Sequence, residues 1–177
     1  MPFKLLKSET ILNARAFKIR RDTLKTPDGR ETKFEIVEHI GSVAIVPIDA
    51  DGNVLFVRQY RHAAGLDLLE LPAGTREPGE PYEVCAAREI REETGMAAGK
   101  LERIGSFYLA PGYSTEYMAV FLATDLRHDP LEADEDEFLQ LEKIPIKKAM
   151  EMGEHGELPD AKTLAALLLA RPFLKID

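Results

Sequence analysis

The chain has 177 residues, 45% of them hydrophobic and 31% charged, with a formal net charge of -8. That length suits one globular domain with at most a small appendage, and the acidic balance argues against gripping nucleic acid or an anionic membrane surface by bulk charge. A single cysteine, Cys85, excludes an intrachain disulfide and suits a reducing compartment; the opening MPFKLLKSET carries no signal-peptide apolar region and the longest apolar run, Leu164 to Ala170, is too short to span a bilayer, so a soluble cytoplasmic protein is expected.

Residues 1–38 read as a β-rich appendage. Two strand-like runs, 16–25 and 30–38, flank Thr26-Pro27-Asp28-Gly29, where Pro fixes φ and Gly permits φ > 0. A hairpin of this kind does not hold by itself, so it packs on the main domain, residues 39–177, or on a second subunit. SVAIVPID at 42–49 is nearly continuously apolar, the pattern of a central strand. An Asp49 to Gly52 turn leads into NVLFVRQYR at 53–61, where Arg58 and Arg61, three apart, face opposite sides of a regular strand. A short apolar strand at 66–74 ends at Pro72 and Gly74.

A helix is predicted over 81–94, with Pro81 in its first turn, Gly95 as the residue that ends it, and Val84, Ala87, Ile90 and Thr94 as its core face. Strands follow at about 99–110 and 116–124, with a loop at 110–115 between them. Residues 125–137, polar and without periodicity, read as a mobile acidic loop. FLQLEKIPI gives a last strand, followed by a short helix at 145–152 and an apolar helix at 161–170 capped by Asp160. The element order is that of an α/β fold.

Glu89, Glu92 and Glu93 stand at i, i+3 and i+4, on one helix face. Like charges at that spacing repel. They form either a solvated acidic face or a site for a cation, and oxygen-only ligands suit Mg2+ or Mn2+. The neighbours decide between the two. Gly74, Glu80, Arg88, Glu89, Ile90, Glu92, Glu93, Gly95 and Met96 fill every fixed position of Gly-x5-Glu-x7-Arg-Glu-U-x-Glu-Glu-x-Gly-U, with U a large aliphatic residue. A chance match is on the order of one in 10⁸ per window at average residue usage. The chain therefore resembles the Nudix hydrolases. Val57 to Arg61, Glu70 to Gly74, Pro111-Gly112-x3-Glu116 and the acidic run Asp134 to Glu137 resemble the ADP-ribose pyrophosphatase branch, as does the placing of Pro111 sixteen residues after Gly95.

The resemblance implies a Nudix fold, with a mixed β-sheet sandwiched between α-helices and an N-terminal antiparallel β-hairpin. It implies hydrolysis of ADP-ribose or a related ADP-sugar to AMP and a sugar phosphate, with about two or three Mg2+ or Mn2+ ions per site. Ala73, through its carbonyl, Glu89 and Glu93 map onto the metal ligands, with Glu92 and Glu116 as further ones. Arg88 orients a neighbouring carboxylate, and Arg61 or Arg58 meets a phosphate or ribose. The general base is Glu135 or Glu137 on the acidic loop, with Glu93 a third choice. Phe17 or Ile19, on the hairpin of a second subunit in a homodimer, and Pro111 contact the substrate. Other readings are a pyrophosphatase for another nucleoside diphosphate sugar, a dinucleotide or an oxidised nucleotide, and a sensor that binds ADP-ribose without cleaving it.

Overall fold

The computed structural model describes residues 2–132 and 138–174. The chain divides into two units, Met1–Gly41 with Phe107–Met118, and Ser42–Ser106 with Ala119–Asp177. In the first, strands β1 (Lys4–Asn13), β2 (Lys18–Lys25) and β3 (Glu31–Glu38) form an antiparallel sheet in that order. β2 and β3 are the expected hairpin. β1 is an addition to it. Its apolar residues, Leu5, Leu6, Ile11 and Leu12, do not alternate because the register slips between Leu5 and Lys7 and again between Thr10 and Leu12. Such bulges break the period-two pattern by which a strand is read. The loop after Ala110 belongs to this unit: Val37 donates from its backbone N–H to Tyr113 O at 2.8 Å, and Thr115 donates back to Val37 O at 2.9 Å.

The second unit is built on β4 (Ser42–Pro47), whose six residues are all buried. It pairs with β7 (Ala73–Thr75), matching Val43 with Gly74 and Ala44 with Ala73. The four-stranded sheet runs β7-β4-β9-β8, with β8 at Met96–Tyr108 and β9 at Tyr117–His128. A second sheet runs β10-β5-β6, from Gln140–Pro145, Asn53–Arg61 and Leu66–Glu70. Three helices complete the unit: α1 (Tyr82–Thr94), α2 (Ile146–Glu154) and α3 (Ala161–Ala170). This is the mixed α/β architecture the resemblance implies. α1 and α3 both pack on β4. Alternate residues of β4 and β9 — Val43, Ile45, Ala119, Phe121 and Ala123 — meet Cys85, Ala86 and Ile90 of α1 in one buried cluster. Burial of large members such as Phe121 and Ile90 contributes about 1.5–3 kcal/mol each.

Four expectations need correcting. Pro81 takes the N-cap position, with φ -63° and ψ 148°, and the first helical residue is Tyr82. Val84 is 54% exposed and Ala87 is exposed too, so neither anchors α1 to the core. The buried face is Cys85, Ala86, Glu89, Ile90, Glu93 and Thr94, so two of the three carboxylates point inward. The polar stretch after 124 is not loop from its start, because β9 continues to His128. It does so through Asp125, at φ 54°, opposite Gly99. A Cβ on Gly99 would lie 2.9 Å from that of Asp125. Gly95 ends α1 as expected, at φ 71° and with its N–H on Arg91 O.

Candidate active site

Small residues set the distance between α1 and the sheet. Cys85 and Ala86 are fully buried against β4, which lets the helix lie close enough for its next turn to reach β7. Glu89 and Glu93, 6% and 7% exposed, meet that strand at successive residues. Glu93 Oε2 accepts the Ala73 N–H at 3.3 Å. The Glu89 carboxylate lies against the Cα of Gly74, so that a Cβ there would be 1.9–2.2 Å from its atoms. Gly74 therefore leaves the space that the Glu89 carboxylate occupies, and a Cβ there would displace it.

Arg88 ties the box together. Its Nη1 meets Glu89 Oε1 at 2.8 Å and Glu92 Oε2 at 2.7 Å, its Nε donates to Glu80 Oε1 at 3.1 Å, and its Nη2 donates to Thr75 O at 3.2 Å. The Glu80 hydrogen bond first, then the charges of Glu89 and Glu92, raise the Arg88 guanidinium further above its ordinary pKa, against the effect of burial. The same hydrogen bond holds the Glu80 carboxyl below its ordinary value. Glu80 in turn accepts the Glu77 N–H at 2.9 Å, fixing the loop before the helix. Arg76 donates to Glu80 O at 2.7 Å and its guanidinium lies 4.2 Å above the Tyr82 ring. Cys85 is unsuited to nucleophilic work. Burial, then the charges of Glu89 and Glu80, push its thiol up to about 12.

Among the described residues no three carboxylate, imidazole or thiol side chains converge as a ready-made metal cage. The donor chemistry still suits a hard divalent cation. Two buried carboxylates meet a strand at neighbouring residues, where backbone carbonyls and water can complete a set of oxygen ligands. The one thiol of the chain, Cys85, is buried in the apolar cluster between α1 and the sheet.

The two strand arginines part as their spacing predicts. Arg58 Nε donates to Glu142 Oε1 on β10 at 2.5 Å. Arg61 grips Glu70 with Nε at 3.0 Å from Oε1 and Nη2 at 2.6 Å from Oε2, and the charge of Glu93 is among those that act on it. Glu116, Pro111, Phe17 and Ile19 lie in the first unit. Glu116 O accepts the Leu109 N–H at 3.1 Å across the turn containing Pro111, Phe17 is 38% exposed in the β1–β2 connection, and Ile19 pairs with Leu12 and Val37 inside the sheet. Glu135 and Glu137 lie outside the described residues.

Sequence reasoning missed a buried polar cluster behind Arg61. Glu70, 1% exposed, also binds Lys162 Nζ of α3, which bonds Asp160 Oδ2 at 2.8 Å. Asp160 accepts the Thr163 N–H at 3.0 Å and its hydroxyl at 2.6 Å, and Thr163 Oγ1 accepts the Leu71 N–H at 2.9 Å. The signal was there in two places: Glu70, set between leucines in LDLLEL, and the one lysine in AKTLAALLLA.

A model of the NUDIX domain matches residues 38–167. The chain belongs to the NUDIX domain family. It is 36% identical over 166 residues to an ADP-ribose pyrophosphatase of Bacillus subtilis strain 168, covering 93% of this chain and 90% of that one. It is 39% identical over 169 residues to an ADP-ribose pyrophosphatase of Mycobacterium tuberculosis strain H37Rv, covering 94% and 82%. Among solved structures it resembles an ADP compounds hydrolase with a TM-score of 0.87 and 29% identity, over 99% of this chain and 95% of that one. The NUDIX match contains every residue of the box, from Gly74 to Met96.

Proposed function

We propose that this NUDIX protein hydrolyses the pyrophosphate bond of ADP-ribose, or of a closely related ADP-sugar, to AMP and a sugar phosphate, using a divalent metal such as Mg2+. The observation that carries the reading is the meeting of Glu89 and Glu93 with Ala73 and Gly74, in a chain so similar to two ADP-ribose pyrophosphatases.

Ala73, Glu89 and Glu93 would hold the cation, with Glu92 assisting. When bound, divalent ions neutralise the diphosphate, polarise its P–O bonds and lower the pKa of a bound water. The protein's share is positional. Arg88 fixes Glu89 and Glu92 against their mutual repulsion, so the helix keeps an anionic face that an isolated helix would not favour. Arg61 offers a half-exposed guanidinium to the substrate's anionic part. Arg58, three residues before Arg61 on β5 and so on the opposite face, pairs instead with Glu142 of β10 and is the weaker candidate for that contact. A carboxylate accepts the proton of the attacking water: Glu135 or Glu137 in this reading, or Glu93. The assignments of Glu116 to the metal and of Phe17, Ile19 and Pro111 to the substrate rest on the resemblance alone.

The reading extends to a cytoplasmic homodimer. All ten residues of β1 are exposed at the edge of its sheet, Leu5, Leu6, Ile11 and Leu12 among them. An apolar edge strand of that length is ordinarily covered. Light scattering across a dilution series reads the dimer. Incubation with ADP-ribose and Mg2+ reads the activity: AMP and a sugar phosphate are expected in equal amounts, and no AMP from well-folded protein refutes the assignment.

A further inference from the structure

Lys162 is an improbable residue where it stands. It is the second residue of α3, at the end of a helix whose dipole disfavours a cation, and its side chain is 11% exposed. Burying an ammonium there carries a desolvation cost that an apolar residue would avoid. The same helix offers the apolar alternative freely, since its other residues are Ala, Leu and one Thr. Two carboxylates compensate the charge, Asp160 as the helix cap and Glu70 from β6. Asp160 caps α3 without help from a lysine, by way of Thr163. The partner that needs Lys162 is Glu70.

Glu70 faces two ways. Burial alone would raise its pKa; the hydrogen bonds and charges of Arg61 and Lys162 outweigh burial and keep it ionised. On one side it receives Lys162, and on the other Nε and Nη2 of Arg61. The remaining Arg61 nitrogen, Nη1, makes no hydrogen bond among the described residues, and the side chain is 40% exposed. Arg61, Lys162, Glu70 and Asp160 together are neutral. Remove Lys162, and Glu70 and Asp160 share a single cation, which draws Arg61 inward.

We propose that Lys162 is a positioning residue for substrate recognition: by compensating Glu70 from the α3 side, it lets Glu70 hold Arg61 by two nitrogens while the third faces an anionic phosphate of the substrate. Thr163, one residue on, braces Leu71 two residues before Ala73, so the same turn of α3 also steadies the strand that meets the box carboxylates. The inference rests on the pyrophosphatase reading and on Arg61 as its phosphate contact.

The test is kinetic. Lys162→Met keeps the length and apolar stem and removes the charge. With ADP-ribose and Mg2+, KM is expected to rise about tenfold with kcat within about twofold, the pattern of lost ground-state binding. Affinity for a non-hydrolysable ADP-ribose analogue, measured by calorimetry, falls by the same factor, and Lys162→Arg restores part of it. In an Arg61→Ala background, Lys162→Met adds nothing further, because the group it acts through is gone. A folded Lys162→Met protein with wild-type KM and affinity overturns the proposal, as does an effect that adds in full to that of Arg61→Ala. If Lys162→Met fails to fold, Glu70→Gln/Lys162→Met removes the stranded charge as well. A KM in that pair equal to the raised KM of Glu70→Gln alone supports the proposal, because Lys162 acts through Glu70, and a further rise or a wild-type KM overturns it. Wild-type protein that releases no AMP sinks the pyrophosphatase reading itself, whereas an active wild type beside an unaffected Lys162→Met sinks this inference alone.

Discussion

Gly74→Ala separates the site from the fold. A Cβ at this position would lie 1.9–2.2 Å from the Glu89 carboxylate atoms. An ordinary contact is about 3.4 Å or more, so the carboxylate must retreat by more than 1 Å, starting from 2.0 Å at its Oε1. The backbone does not resist the change, because Gly74 is not among the glycines with positive φ, and alanine reduces the entropy of the unfolded chain. What yields is the far end of a glutamate, at a stability cost of about 0.5–3 kcal/mol. The catalytic cost is larger. A displacement of about 1 Å at a reacting centre costs on the order of 10²-fold in rate. The expected result is a folded protein with native circular dichroism, kcat/KM for ADP-ribose down about 100-fold, and weaker Mg2+ dependence. In a Glu89→Gln background the same substitution adds little, since both act on one ligand. Wild-type kcat/KM in Gly74→Ala would refute the claim that Glu89 works from the place the strand gives it.

Glu93→Gln keeps the shape of a side chain that accepts the Ala73 N–H but removes its charge; kcat is expected to fall by about 10²-fold or more with little change in melting temperature. The Cys85 thiol, pushed up to about 12 by burial and then by Glu89 and Glu80, should resist thiol reagents at pH 8 until the protein is unfolded, and fast labelling of native protein would reopen a nucleophilic role. Glu80→Gln is expected to cost about 1.5–3 kcal/mol near neutral pH by removing a charged partner of Arg88. Because Arg88 depresses the folded pKa of Glu80 below 4.5, that stabilisation is complete above the unfolded value and disappears as pH falls through the folded one. The gap between wild-type and Glu80→Gln urea midpoints should therefore close in acid, and a gap that persists there contradicts the assignment. Ala86→Val, at a fully buried site between α1 and β4, and Ala149→Val, fully buried on α2, each overpack the core at about 1–3 kcal/mol; only the first is expected to cost activity out of proportion to melting temperature.

The family was legible because the residues of its box are close in sequence. Gly74 to Met96 carry a spacing that few other chemistries require, and the helix it predicts ends at Thr94 as read. The face of that helix was not legible. Reading apolar residues as inward and charges as outward puts Val84 and Ala87 in the core, whereas they are exposed and Glu89 and Glu93 are buried. A pattern argument assumes that charge seeks water, and it fails where the charges have a strand and an arginine to meet. β1 escaped for a different reason, since two register slips destroy its alternation. The Glu70–Lys162 pair joins residues 92 positions apart, a distance across which a single sequence offers no pattern, only two charges that look out of place.

The misread face of α1 has a physical origin of its own. In most helices the face that packs and the face that works are different, and selection can treat them separately. In α1, on the function proposed above, they are the same. Cys85, Ala86 and Ile90 enter the core, and Glu89 and Glu93 continue that buried face toward β7. The small residues admit the helix to the sheet, the closeness forces glycine at position 74, and the glycine leaves room for the carboxylate. Arg88, set to one side of this face and 24% exposed, supplies the positive charge that pairs with the adjacent carboxylates of Glu89 and Glu92. The box spacing is thus a packing requirement as much as a chemical one. A chain that kept the glutamates but enlarged residues 74 or 86 would retain every candidate ligand and still lose the geometry.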